Sequence, residues 1–145
     1  MEKVRDGKGY HLIIDGVECD YNKISDNHFI YEFLDKYPTE INMNKVSPPY
    51  VNRYYMNDIE MIFGFVMIAE SHISIHANLA TSEMNLDIYS CKEFDIDKAI
   101  KDIIHLFGIK KSKIKVLIRG QEVPRFIKIA DNLSAHLNET GTFIL

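Results

Sequence analysis

The chain has 145 residues, 46% apolar and 26% charged, which fits one soluble domain over 1–145. A net charge of −4 and a pI near 5.8 argue against nucleic acid and membrane surfaces as partners. The longest apolar stretch, Met61 to Ala69, is about half of the roughly 20 residues that cross a bilayer, and the polar start has no signal-peptide core. A cytoplasmic location is therefore expected, with Cys19 and Cys91 as reduced thiols.

Residues 9–17 read as a first strand. Ser25-Asp26-Asn27 offers an N-cap to a helix whose apolar positions Phe29, Ile30, Phe33, Leu34 and Tyr37 recur at helical spacing, and Pro38 is expected to stop it. Val51 to Tyr55 predicts a strand, followed by a turn at Asn57-Asp58. Met61 to Ala69 reads as a central strand buried on both faces. Ser71 to Ala77 and Met84 to Tyr89 alternate polar and apolar residues, as half-buried strands do. Asp95 caps a second helix carrying Ile96, Ala99, Ile100, Ile103, Ile104 and Phe107 on one face, and Gly108 ends it. Lys113 to Arg119 is the last full strand, and residues 120–145 are expected to form a loop or short helix. This order predicts an α+β fold: an antiparallel sheet with two helices on one face. Its other face must meet solvent or another sheet.

Glu70-Ser71-His72-Ile73-Ser74-Ile75-His76 carries the chemistry. A serine hydroxyl beside a strained peptide can attack the preceding carbonyl and convert an amide into an ester. β-Elimination then releases the upstream chain and leaves a dehydroalanine that hydrolyses to a pyruvoyl group. This needs a serine, a base for its α-proton and an oxyanion stabiliser. Ser71 is a candidate for the first and His76 for the second. Strand alternation points these two to opposite faces, so a kink or bulge near Ser71, or cleavage itself, is expected to bring them together. The competing reading of Ser71 is a plain strand hydroxyl. His72 and His76 lack a third ligand at metal spacing, so no metal is expected. Cys91 taken alone reads as a small buried hydrophobe, and Cys19 as a structural thiol.

Gly9-Tyr10-His11, Glu18-Cys19-Asp20, Ala69 to His76 and Leu86-Asp87-Ile88-Tyr89-Ser90-Cys91 together resemble the prokaryotic form of the S-adenosylmethionine decarboxylase family, over roughly residues 9–120. The resemblance implies cleavage at Glu70–Ser71 into a 1–70 β-chain and a 71–145 α-chain. It makes Ser71 the precursor of a covalent pyruvoyl cofactor, His76 a processing residue and Cys91 the proton donor to the substrate carbon. The pyruvoyl ketone captures a small-molecule amine substrate as a Schiff base and takes up the electrons freed by CO₂ loss. The family also implies a homodimer whose paired sheets form a sandwich, with the active sites near the interface, and a place in polyamine and spermidine biosynthesis.

Two positions depart from the family pattern. Phe63 stands eight places before Ser71, where the family usually has a serine that assists processing. Leu79-Ala80-Thr81-Ser82 stands where members acting on S-adenosylmethionine have a Pro-Glu-Tyr-Gly-like stretch whose glutamate holds the ribose. L-Arginine or L-ornithine is therefore an alternative substrate, with Glu60, Glu83 and Asp87 as candidate carboxylates for its cationic end. Phe63 also leaves open a non-cleaving, non-catalytic paralogue that acts as a binding partner.

Overall fold

The computed structural model describes residues 8–120 and two short paired strands, β7 (His136–Leu137) and β8 (Phe143–Ile144). The remaining stretch of the 120–145 expectation lies outside the described residues. Six strands form one antiparallel sheet: β1 (Gly9–Val17), β2 (Tyr50–Met56), β3 (Ile59–Ile68), β4 (Ser71–Asn78), β5 (Glu83–Ser90) and β6 (Lys111–Arg119). Their spatial order is β2-β3-β4-β5-β1-β6. The predicted α+β class is what the structure has.

The strands face as their alternation requires. Leu12, Ile14, Ile62, Val66, Ile73, Ile75, Leu86 and Ile88 are fully buried on one face. Burying each such side chain is worth about 1.5–3 kcal/mol. α2 (Asn27–Glu40) and α3 (Ile96–Leu106) cover that face, contributing Ile30, Leu34, Ala99 and Ile103 to the core. Gly64 lets α2 lie close on β3: a Cβ there would meet Leu34 Cδ1 at 2.8 Å and Ile30 Cγ2 at 3.0 Å.

Both predicted caps form. Asp26 accepts from the N–H groups of His28 and Phe29, and Asp95 from that of Lys98, each satisfying helix donors that lack a partner. α2 does not end at Pro38, contrary to the expectation; it runs to Glu40. So near the C-terminus a proline removes one ladder bond, and burial of Tyr37 and Pro38 offsets that loss. A short helix, α1 (Tyr21–Ile24), capped by Asp20, was not evident from periodicity because one turn carries none.

The opposite sheet face is uncovered in the single chain. Phe63 and Met67 of β3, expected to be buried, are 39% and 48% exposed, and Leu117 of β6 is 45% exposed. The continuous apolar run of β3 therefore marks burial on one face and an apolar, uncovered surface on the other. Among the described residues, no helix is long and apolar enough to cross a membrane.

Candidate active site

Ile68 pairs with Ser71, so β3 and β4 are joined by the two-residue turn Ala69-Glu70. Two-residue hairpins favour residues that tolerate positive φ, usually glycine or asparagine. The neighbouring β2–β3 turn obeys this, with Asn57 and Asp58 at φ +52° and +63°. The Ala69-Glu70 turn has no such residue, and Ser71 itself sits at φ +155°, a region sparsely populated by side-chain-bearing residues. The Glu70–Ser71 peptide thus lies at the strained end of a hairpin.

Its carbonyl end is held from two sides. The N–H of Cys91 donates to the Glu70 carbonyl oxygen at 3.0 Å. That distance is where a donor must stand to stabilise negative charge developing on this oxygen. The Glu70 side chain is only 5% exposed and accepts from the N–H of Asn44 at 3.1 Å and from Asn44 Nδ2 at 3.0 Å. Burial pushes the Glu70 carboxyl up, but donation from Asn44 and from its own backbone N–H, with the charge of Lys92, more than offsets this, leaving it below its ordinary 4.5. Asn44 in turn accepts, through its carbonyl, from the N–H of Ala69 at 2.8 Å. One loop residue therefore ties down both turn residues.

The structure corrects how Ser71 and His76 relate. β4 pairs residue by residue with β3 and with β5 from Ser71 to Asn78, so the expected kink or bulge is replaced by an unbroken ladder. Five residues of strand separate the two side chains, about 16 Å. Ser71 Oγ lies 3.2 Å from His72 Nδ1, while His76 Nε2 lies 2.8 Å from the hydroxyl of Tyr54. Phe63, directly opposite His76 in the ladder, meets its ring edge-on with centroids 6.0 Å apart.

Between these groups the uncovered face carries a polar network. His11 Nε2 and Asp87 Oδ1 are 2.7 Å apart, and Ser74 Oγ donates to Asp87 Oδ2 at 3.4 Å. His72 packs between Phe65 and Tyr89. Burial holds the His72 imidazole below its ordinary 6.5; Asp87 opposes this, and the charges of His11 and Arg119 add to it. Of the three carboxylates considered for a cationic substrate, Asp87 lies in this network, and Glu83, four residues before it on β5, shares its side of the strand. Glu60 is paired with Arg53 at 2.6 Å, and Glu83 accepts from Thr81 in the turn after β4. Ala80 sits in that turn, its N–H bonded to Asn78 Oδ1.

Cys91 follows the last residue of β5, partly exposed and outside any disulfide. Cys19 is a buried thiol, pushed up to about 11 by burial, as its structural reading implies. A cleft of about 640 Å³ between α2 and α3, floored by Phe29, Phe33 and Leu106, lies on the helix side and contains none of the predicted site residues. Asn44 is a site residue that sequence reasoning missed, and Tyr54 one that it did not connect with His76. Tyr54 is an aromatic on an alternating strand; Asn44 lies in a loop without periodicity.

The fold and the hairpin site define a class, enzymes built on an α+β sheet open on one face, and the comparisons specify which. The solved adenosylmethionine decarboxylase of Aquifex aeolicus matches with a TM-score of 0.63 and 26% identity, covering 86% of this chain and 97% of that one. A family model described as S-adenosylmethionine decarboxylase matches residues 10–120. An S-adenosylmethionine decarboxylase proenzyme of Clostridium botulinum is 28% identical over 78% of this chain and 95% of its own length. One from Pyrococcus furiosus is 32% identical over 79% and 80%. The chain belongs to the S-adenosylmethionine decarboxylase family, whose members are pyruvoyl-dependent carboxy-lyases. None of these relatives carries a name that supports the arginine, ornithine or non-catalytic alternatives.

Proposed function

We propose that this chain is a self-processing decarboxylase of polyamine biosynthesis that breaks its own Glu70–Ser71 bond and acts on S-adenosylmethionine. The observation that carries this reading is the Cys91 N–H donating to the Glu70 carbonyl at 3.0 Å beside a strained Ser71. Ser71 Oγ attacks the Glu70 carbonyl carbon, and the developing oxyanion rests on the Cys91 N–H. The C–N bond then breaks, the hydroxyl proton passes to the Ser71 nitrogen, and residues 1–70 are left as an ester. A base takes the Ser71 α-proton, and the Glu70 carboxylate departs. Water replaces the nitrogen of the resulting dehydroalanine as ammonia, which leaves a pyruvoyl group at the head of residues 71–145. That group supplies an electron sink for loss of CO₂ from a bound amino acid.

His76 is proposed as the processing base. At about 16 Å along one straight strand it does not reach its own Ser71. The His76 that serves each Ser71 is therefore proposed to come from a second copy of the chain in a homodimer. Phe63, Met67 and Leu117, exposed on the uncovered face, support such a homodimer, because apolar groups gathered on one face mark contact surfaces. Cys91, adjoining the hairpin, is proposed to return the proton to the substrate carbon. The fit of Ser71 as cofactor precursor rests on its strained backbone and the clamped carbonyl before it.

S-Adenosylmethionine is the proposed substrate because the relatives carry that name. The test is release of CO₂ by the purified chain from S-adenosylmethionine, arginine, ornithine and lysine. Release from S-adenosylmethionine is expected. Release only from arginine or ornithine would overturn the substrate and keep the chemistry.

A further inference from the structure

Phe63 stands opposite His76, where the family resemblance implies a serine hydroxyl, yet His76 is not left without a polar partner. Phe63 and His76 face each other across the β3–β4 ladder. The next strand outward, β2, supplies Tyr54, whose register partner is Met61, two residues from Phe63 on the same face of the sheet. Its hydroxyl reaches back over β3 to His76 Nε2 at 2.8 Å. The two rings are nearly parallel, 5° apart in plane with centroids at 6.4 Å, and the edge-on Phe63 closes another side of the imidazole. An imidazole that must move a proton needs its tautomer and ring orientation fixed by such a partner. A long phenol from a more distant strand can supply the oxygen that a short side chain at position 63 would otherwise provide.

We infer that Tyr54 is the positioning residue of His76 in this chain, its hydroxyl standing in for the hydroxyl absent at Phe63. The inference rests on the proposed role of His76 in self-cleavage. It assigns Tyr54 to orienting the base, leaving bond-making to Ser71. A tyrosine on the outermost strand thereby becomes part of the processing machinery, and Phe63 becomes tolerable because of it.

The test follows the appearance of the two fragments after cell-free synthesis, by denaturing mass spectrometry, in the parent, Tyr54→Phe, and the double variant Tyr54→Phe with Phe63→Ser. Loss of one ordinary hydrogen bond should slow cleavage by about threefold to tenfold in Tyr54→Phe. Serine at position 63, directly opposite His76, should restore most of that rate. Restoration separates positioning from a structural role, because a smaller side chain at position 63 cannot repair a weakened sheet edge. Cleavage of Tyr54→Phe at the parent rate would overturn the inference, as would a loss that Phe63→Ser does not repair. A parent chain that never cleaves would remove the reaction along with the inference, an outcome distinct from both.

Discussion

The backbone N–H of Cys91 donates to the carbonyl oxygen of Glu70 at 3.0 Å. The residue proposed to deliver a proton during turnover is thus also the residue whose main chain holds the bond proposed to break during maturation. The two proposed roles are separable, because one belongs to a side chain and the other to a backbone.

Cys91→Ala separates them. Alanine keeps the N–H, so the two fragments should still appear. Turnover should fall about 100-fold or more, the scale of a lost general acid. Fragment formation by mass spectrometry and CO₂ release on the same sample check both halves. Full activity in this variant would refute the role given to the thiol.

Asn44→Ala leaves the Asn44 N–H on the Glu70 carboxylate and removes the Nδ2 bond. Loss of a bond to a buried charged group should cost about 1–3 kcal/mol, seen as a lower urea midpoint on a Ser71→Ala background that stays in one piece. On the cleavable background the split should slow, since the turn residues are less firmly held. An unchanged midpoint would show that Asn44 does not anchor Glu70.

Stability should rise with pH from about 4 to 7. A carboxyl held below its ordinary 4.5 in the folded chain, as Glu70 is, contributes stability that is full above that value and is lost as pH falls through the folded value. His72, held below 6.5 chiefly by burial, is neutral in the folded chain while the unfolded chain still binds a proton. Its contribution is likewise full above 6.5 and is lost as pH falls toward the folded value. Both act in the same direction, and thermal midpoints of Ser71→Ala across this range measure their sum. A flat profile would contradict the hydrogen bonds that hold the Glu70 carboxylate and the burial of His72.

The strands and caps were legible because their signals are local. Alternation in 84–89 and 113–119, the Asp26 and Asp95 caps and the Asn57-Asp58 turn each depend on neighbours a few residues apart. Pro38 misled because tertiary burial outweighed a local breaker. Alternation correctly set Ser71 and His76 on opposite faces, but the bulge expected to reunite them is absent, because β4 pairs without a break on both sides from Ser71 to Asn78. Asn44–Glu70 and Tyr54–His76 join residues 26 and 22 apart, through a loop contact and an edge-strand register that no short-range pattern encodes. The candidate residues Glu70, Ser71 and Cys91 were therefore nameable from the sequence, and the residues that support them only from the fold.

The most direct test of the central claim is the mass of the purified chain under denaturing conditions. Two fragments split at Glu70–Ser71 are predicted, the 71–145 piece carrying a pyruvoyl end, with Ser71→Ala remaining whole. A parent chain that stays intact at every condition and releases no CO₂ from any amino-acid substrate would contradict it.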